Sequence, residues 1–347
     1  MSRRVRVFAW VAASLMLLAA LPLAAQEGMP PLPGELVLGD LGAPRGLAFD
    51  SNGNLLVAVA GTGGEQEFTL PGPEGEAAVK AGLTGRVVSI APDGTASDLI
   101  VGFPSYASEM ETTGLYRVIP HDHSLWVVFN GSGAGTFGAY WMDSVVELDA
   151  ATLATKTVIN LNGIELAEDP DGNGFDTNVS DIAWGSDGTM YIVNAGQNDL
   201  LSWTRDGGLK VVHSWPDNPV PTSIEVGHND ELYIGFLGAG LAPGAGKIEH
   251  WADDELVETF SGLNAVSDIL LDGDTLYAVQ LVVFGEQGPG PGSVVTVSAD
   301  GVTPVAEGLL APFGIAKGPD GALYVTVGTL IFAPGMPAGV VKLATDM

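Results

Sequence analysis

The sequence predicts an all-β fold, a six-bladed β-propeller, and three observations carry that expectation. A hairpin pattern recurs six times, turn formers are abundant (48 Gly and 22 Pro in 347 residues), and the two ends of the chain hold complementary parts of one repeat. Self-similarity at a steady period marks a repeat architecture.

The recurring segments are PRGLAFDSNGNLLVAVA from Pro44, TGLYRVIPHDHSLWVVFN from Thr113 and VSDIAWGSDGTMYIVNA from Val179. The others are PTSIEVGHNDELYIGFL from Pro221, VSDILLDGDTLYAVQ from Val266 and PFGIAKGPDGALYVTVG from Pro312. Each reads as a short strand, a polar turn and a second apolar strand. The Asn-Gly, Asp-Gly and Asn-Asp dipeptides supply the positive-φ positions that a tight hairpin needs. A third strand and usually a fourth follow, as in DLLSWTRDGGLKVVHSW from Asp199 and GSVVTVSADGVTPVAEGL from Gly292. Four antiparallel strands per repeat are NHL/TolB-like blades. The matched positions Leu56, Trp126, Tyr191, Tyr233, Tyr277 and Tyr324 lie 70, 65, 42, 44 and 47 residues apart. The last three intervals suit a bare blade; the first two carry insertions, Gly61–Gly82 and roughly Asn160–Asn178. Long inserted loops in a compact domain more often serve function than accident.

Closure is legible at the ends. The sixth repeat reaches only a third strand, GVVKLAT from Gly339. The spare segment Leu36–Leu41 is expected to complete it, so that the N-terminal strand closes the ring and hides two sheet edges. One propeller domain spans residues 35–347, after a linker at 26–34.

Residues 1–25 read as a signal peptide: Arg3, Arg4 and Arg6 precede the apolar run Val7–Leu21, and Leu23-Ala24-Ala25 precedes Gln26. The run is short for a membrane anchor. Export to the periplasm or the medium is expected, with no membrane span after cleavage, as a monomer. There are no cysteines, which excludes disulfides, thiol catalysis and thiolate metal sites. With 13 Lys+Arg against 42 Asp+Glu the net charge is −29. Such a field repels nucleic acid and anionic lipid and attracts cations.

Three separated motifs resemble the ScyD/ScyE family. AGTGGE (Ala60–Glu65) with PGPEGE (Pro71–Glu76) and then TGRVVSIAPDGT is similar to that family's first blade. EDPDGNGFDTN (Glu168–Asn178) followed by SDGTMYIVNAGQNDLLSW resembles its acidic segment and the strand after it. LYIGFLGAGLAPGAGKIEHW (Leu232–Trp251) is similar to its fourth-blade hairpin. The resemblance covers essentially the whole chain after the leader and implies an exported, NHL-like propeller. It implies no substrate and no catalytic residues. Asn194 stands where the family often has Asp, and Thr177-Asn178-Val179 replaces its Ser-Asn-Pro.

Two constellations are candidates for chemistry. In Asp169-Pro-Asp171-Gly-Asn173-Gly174-Phe-Asp176, alternating oxygen ligands around a turn glycine match the first half of a calcium loop. Position 12 of such a loop falls on Ser180 rather than Glu, so closure by Asp181 is one reading and a metal-free Asx turn the other. The second constellation comes from aligning the innermost strands. It places Gly46, Gly114, Asp181, Ser223, Asp268 and Gly314 at one level of the channel, next to a level that begins with Arg45. Asp181 and Asp268 are calcium candidates there; the polar groups otherwise cap strands and hold water. Arg45, Glu111, Asn194, Ser223 and Trp141 are candidate ligand contacts, Trp141 lying in a Gly/aromatic loop at Gly131–Met142. The histidines show no zinc spacing, and His121-Asp122-His123 reads as a solvated turn. Two functions follow: a binding or scaffold propeller for a small molecule, glycan or protein, and a calcium-assisted, lactonase-like enzyme with Asp181, Asp268, Asn194 and Glu111 at the mouth.

Overall fold

The structure, a computed structural model, describes residues 32–72, 75–109, 111–131, 141–285, 288–330 and 338–344. The proposed signal peptide lies outside them. Nearly all regular structure is antiparallel β; the described residues form four four-stranded sheets, one nine-stranded sheet that can be divided into two further four-stranded blades, and a two-stranded ribbon.

Blade 1 runs outward as Pro44–Phe49, Leu55–Val59, Gly75–Ile90 and Ala96–Ala107; blade 2 as Thr112–His121, Ser124–Phe129, Ser144–Asp149 and Thr155–Asn160. Blade 3 is Val179–Trp184, Met190–Asn194, Asp199–Thr204 and Gly208–Ser214. Blade 4 is Pro221–Val226, Leu232–Phe236, Gly246–Ala252 and Glu255–Leu263. Blade 5 is Val266–Asp272, Thr275–Gln280, Gly292–Ser298 and Gly301–Leu309. Blade 6 is Ile315–Lys317, Leu323–Val327, Gly339–Leu343 and, outermost, Gly34–Leu38.

The hairpins form because their turns satisfy themselves. Asp50 Oδ1 accepts the amides of Asn52 and Asn54, and Asp187 and Asp320 do the same for Thr189 and Ala322. Blades 2 and 5 use two-residue turns instead, His121 pairing with Ser124 and Asp272 with Thr275. Asp122 and His123 there take φ of 43° and 61°, as a type I′ turn requires.

A blade is apolar on both faces and must bury each against a neighbour. Tyr116, Trp126 and Val128 of blade 2 pack with Ile182, Met190 and Ile192 of blade 3. Equivalent clusters join blades 1–2, 3–4, 4–5, 5–6 and 6–1, and the last sets Leu47 and Val57 against Ala316 and Val340. The cycle of cores is complete. The closing strand begins at Gly34, two residues earlier than the sequence suggests, and pairs Gly34 with Leu343 and Leu36 with Val341.

The insertions differ from the loops expected. The first is a β-ribbon, Gln66–Gly72 pairing along the extended third strand of blade 1. That strand's partner then runs on into blade 2, Ser105 opposite Gly114. The second carries a short helix, α1 (Asn162–Glu168), before the acidic loop. No helix among the described residues is long and apolar enough to cross a membrane.

Candidate functional site

The innermost strands line a central channel, and small differences in hairpin length decide what faces it. Asp181, Ser223, Gly46 and Gly314 lie ten residues before the matched positions Tyr191, Tyr233, Leu56 and Tyr324. In blades 2 and 5 the tighter turns shorten that distance to nine, which selects Asp268 and Arg117. Aligning the strand starts puts Gly114 at this level, and the register corrects it to Arg117. Counting back from the turn finds the arginine in the sequence; the alignment of strand starts misses it, because the inner strand of blade 2 is longer.

Arg117 crosses the channel. Its Nη1 donates to Asp268 Oδ2 at 2.7 Å, and its Nε lies 3.5 Å from Asp181 Oδ1. Further donations reach the carbonyls of Ser180 and Thr222, each at 3.4 Å. The glycine of blade 1 makes room: a Cβ on Gly46 would lie 2.5 Å from Arg117 Cδ. All three charged groups are buried. Burial opposes the guanidinium's charge, yet the two carboxylates outweigh it and raise its pKa. Burial likewise pushes Asp181 up to about 7 and raises Asp268, against the pull of Arg117.

A guanidinium therefore stands between the two carboxylates that the sequence offers to calcium. Asp181 also accepts from the amides of Ile182 and Ile224, and Asp268 from those of Ile269 and Ile315. Their oxygens are directed at fixed protein donors, tying several blades together.

Towards the hairpin turns the channel widens into a cavity of about 480 Å3. Its walls are apolar, from Leu47, Val118, Ile182, Ile224, Ile269 and Ile315 among others, and its floor is Arg117 with Asp181 and Asp268. Glu225, two residues beyond Ser223, faces the same space where the other blades present Ala48, Ile119, Ala183, Leu270 and Ala316. Burial, and then the nearness of Asp181 and Asp268, lift its carboxyl to about 8. At the rim His121 stacks on Trp184, ring centroids 3.9 Å apart, so it builds the wall instead of a free turn. Lys317, also at the rim, is paired with Asp272.

Beyond the floor, towards the strand starts, lies a second buried arginine. Arg45 is buried, donates to the Thr112 carbonyl at 2.6 Å, and lies 5.0 Å from the Phe313 ring, which meets Tyr116 edge-on. Half-buried Glu111 is close enough for Arg45 to hold down a carboxyl that burial raises. Arg45 and Glu111 thus lie near each other beyond the channel floor, away from the cavity.

The other candidates are dispersed. Asn194 is buried at the end of a blade 3 strand, its Oδ1 taking the Asn178 amide and its Nδ2 donating to Gln197. Ser223 is fully buried with Oγ unpartnered. Trp141 packs on Phe103 and Phe129, at 5.4 and 5.6 Å, a core contact where the sequence suggests an exposed one, because the indole extends an apolar cluster. Most of the Gly/aromatic loop before it, residues 132–140, lies outside the described residues. In the acidic loop, exposed Asp169 caps the Gly174 amide and Asp171 caps that of Asn173. Asn173 is exposed, while Asp171 is buried and Asp176 half-buried. No three acidic or histidine side chains among the described residues form a ready metal shell.

No protein-family model and no curated protein matches the chain. Among solved structures it is similar to a gluconolactonase from Xanthomonas campestris, at 12% identity and TM-score 0.56, with 88% of each chain covered. It is also similar to a putative oxidoreductase (glucose dehydrogenase) from Thermus thermophilus, at 16% identity and TM-score 0.55, over 90% of this chain and 100% of that one. A luciferin-regenerating enzyme follows at 11% identity and TM-score 0.51, over 90% of this chain and 94% of that one. The likeness is one of fold. These neighbours are β-propellers, and at such identities a shared scaffold does not carry over a substrate.

Proposed function

We propose that this chain is an exported binding propeller of the ScyD/ScyE type that takes a small molecule into the hairpin-end channel, an apolar body against the walls and a cationic head on the acidic floor. The observation that carries the reading is the cavity itself: apolar walls, one deep polar end, and three carboxyl groups facing a single guanidinium. Its volume falls in the usual range for small-molecule sites. A cationic head supplies a countercharge to Glu225, the one of the three acids that Arg117 does not hold, and the acidic surface field steers cations inward. The ScyD/ScyE assignment is supported by the three motifs around Ala60, Glu168 and Leu232.

The alternative, a calcium-assisted hydrolase at the channel mouth, has less support. Arg117 already holds Asp181 and Asp268, Asn194 is engaged with Asn178 and Gln197, and Glu111 lies near Arg45, outside the cavity lining.

Calorimetric titration with phenethylamine and with its neutral analogue 2-phenylethanol tests the proposal. The amine should bind more tightly, and Glu225→Gln should weaken the amine about tenfold, a loss of about 1.4 kcal/mol, while leaving the alcohol unchanged. No binding of the amine, or equal losses for both probes, would overturn it.

A further inference from the structure

We infer that the second insertion, together with Asp199, forms a binding site for a hard divalent cation of calcium type, on the face of the propeller opposite the hairpin-end cavity.

The site is built from three elements that meet between blades 2 and 3. Asp143 precedes the third strand of blade 2, and Asp199 opens the third strand of blade 3. Glu165 sits on α1, and Asp171 and Asp176 follow it in the acidic loop. Asp199 is fully buried, and neither of its carboxylate oxygens has a hydrogen-bond partner. Glu165 is 1% exposed; its Oε1 accepts the Asp176 amide and its Oε2 has no partner. Asp143 is 2% exposed with Oδ1 unpartnered, its Oδ2 accepting from Asn162 Nδ2 at 3.3 Å. Asp171 is engaged by the neutral donors Asn173 N and Asn198 Nδ2.

The groups feel one another. Burial first, and then Glu165 and Asp171, hold Asp199 well above the usual carboxylate range. Burial also lifts Glu165 to about 8 and Asp143 to about 7, with Asp171, Asp169 and Asp176 adding to the first and Asp176 to the second. No protein cation among the described residues answers them. Among the described residues none of these five acids is in a salt bridge. Between Gly131 and Thr204 the sequence holds one basic residue, Lys156, and no histidine; Lys156 is committed to Glu147.

Unpaired buried carboxylates are among the most expensive features a fold can hold, so they take up protons or a cation. Protons neutralise them one at a time and add donors that need acceptors. One divalent ion neutralises two charges and satisfies several orphaned oxygens together. Oxygen-only donors select a hard cation, and calcium tolerates six to eight ligands in irregular geometry. The acids do not yet stand as a closed shell of three, so binding draws Asp199 and Glu165 inward around the ion. The calcium loop suggested by Asp169, Asp171, Asn173 and Asp176 thereby gives way to a different set, in which the sequence-distant Asp199 and Glu165 do the holding.

The test is thermal unfolding and calorimetry of the mature chain at pH 7.5, first in chelator and then in calcium up to several millimolar. Wild type should bind one ion and gain roughly 4 °C or more in Tm at saturation. Asp199→Asn should abolish most of that gain, whereas the exposed-site control Asp217→Asn should keep it. If Asp199→Asn fails to fold, Glu165→Gln carries the same comparison. A wild type indifferent to calcium, with Asp199→Asn more stable than wild type in chelator, would show that the acids are simply protonated and overturn the proposal. A calcium gain undiminished in both variants would overturn the location. The channel variant Glu225→Gln should respond to calcium as wild type does, which separates this test from the small-molecule reading.

Discussion

At the scale of the residue, Arg117 decides what the channel is. It is the one cation at the level where Asp181 and Asp268 face the axis, and its removal leaves two buried carboxylates with amide donors but no countercharge. Breaking one side of a buried ion pair costs about 3–5 kcal/mol. Arg117→Ala should therefore lose that much in urea unfolding at pH 7.5, and less at pH 5, where the orphaned carboxyls take protons. Adding Asp268→Asn to Arg117→Ala should recover part of the loss; a double variant no better than the single one would mean that the arginine acts through packing alone. Glu147 shows the opposite balance. Burial works against its charge, but hydrogen bonds from Lys156, Arg205, Thr157 and Ser124 hold it down to about 2. It is a carboxylate fully provided with donors, which is what Asp199 lacks.

At the scale of the element, turns and closure carry the weight. Asp122 and His123 occupy left-handed backbone in a two-residue hairpin, a conformation glycine adopts without Cβ strain. His123→Gly should stabilise the chain by about 0.5–1 kcal/mol in chemical denaturation, and a loss of that size would show that the imidazole contributes more than its backbone costs. At the seam, Gly339 lies under the closing strand so tightly that a Cβ there would meet Leu38 O at 2.1 Å. Gly339→Ala should push Gly34–Leu38 away and cost about 1–3 kcal/mol. Hydrogen exchange should then speed up in blade 6 first, and uniform exchange across the blades would contradict a local seam.

At the scale of the whole molecule, stability is cyclic and pH-dependent. Each inter-blade core is shared, so six of them close only if every blade is present. The channel acids set one arm of the pH profile. Asp181 and Glu225 have folded pKa values raised to about 7 and about 8 above ordinary values of 3.8 and 4.5. The folded state thus binds their protons more readily, and that stability is complete below about pH 4 and declines as the pH rises towards 8. Glu147 sets the acid arm: its contribution is present above pH 4.5 and is lost as the pH falls towards 2. Urea titrations should show stability falling from pH 5 to pH 8, and Glu225→Gln should flatten that fall. An unchanged slope in the variant would mean that Glu225 does not titrate in this window.

The repeat, the turn chemistry and the charge are local properties of the chain, and so the blades, their four-strand order and the closing strand at Leu36 are legible in one dimension. The candidate sites are legible in part. Asp181 and Asp268 do face the channel, but their partner Arg117 is hidden, because strand length and turn type shift the register by three residues in blade 2, from Gly114 to Arg117. Asp171 and Asp176 do meet a buried acidic cluster, but Glu165, Asp143 and Asp199 join it only when α1 and two third strands converge. Hairpin formation depends on neighbours a few residues apart, whereas the charge balance of a buried group depends on whatever the closed ring brings against it. The scaffold can therefore be read from the order of residues, while which carboxylates gain a cation and which go without is settled when the blades close on one another.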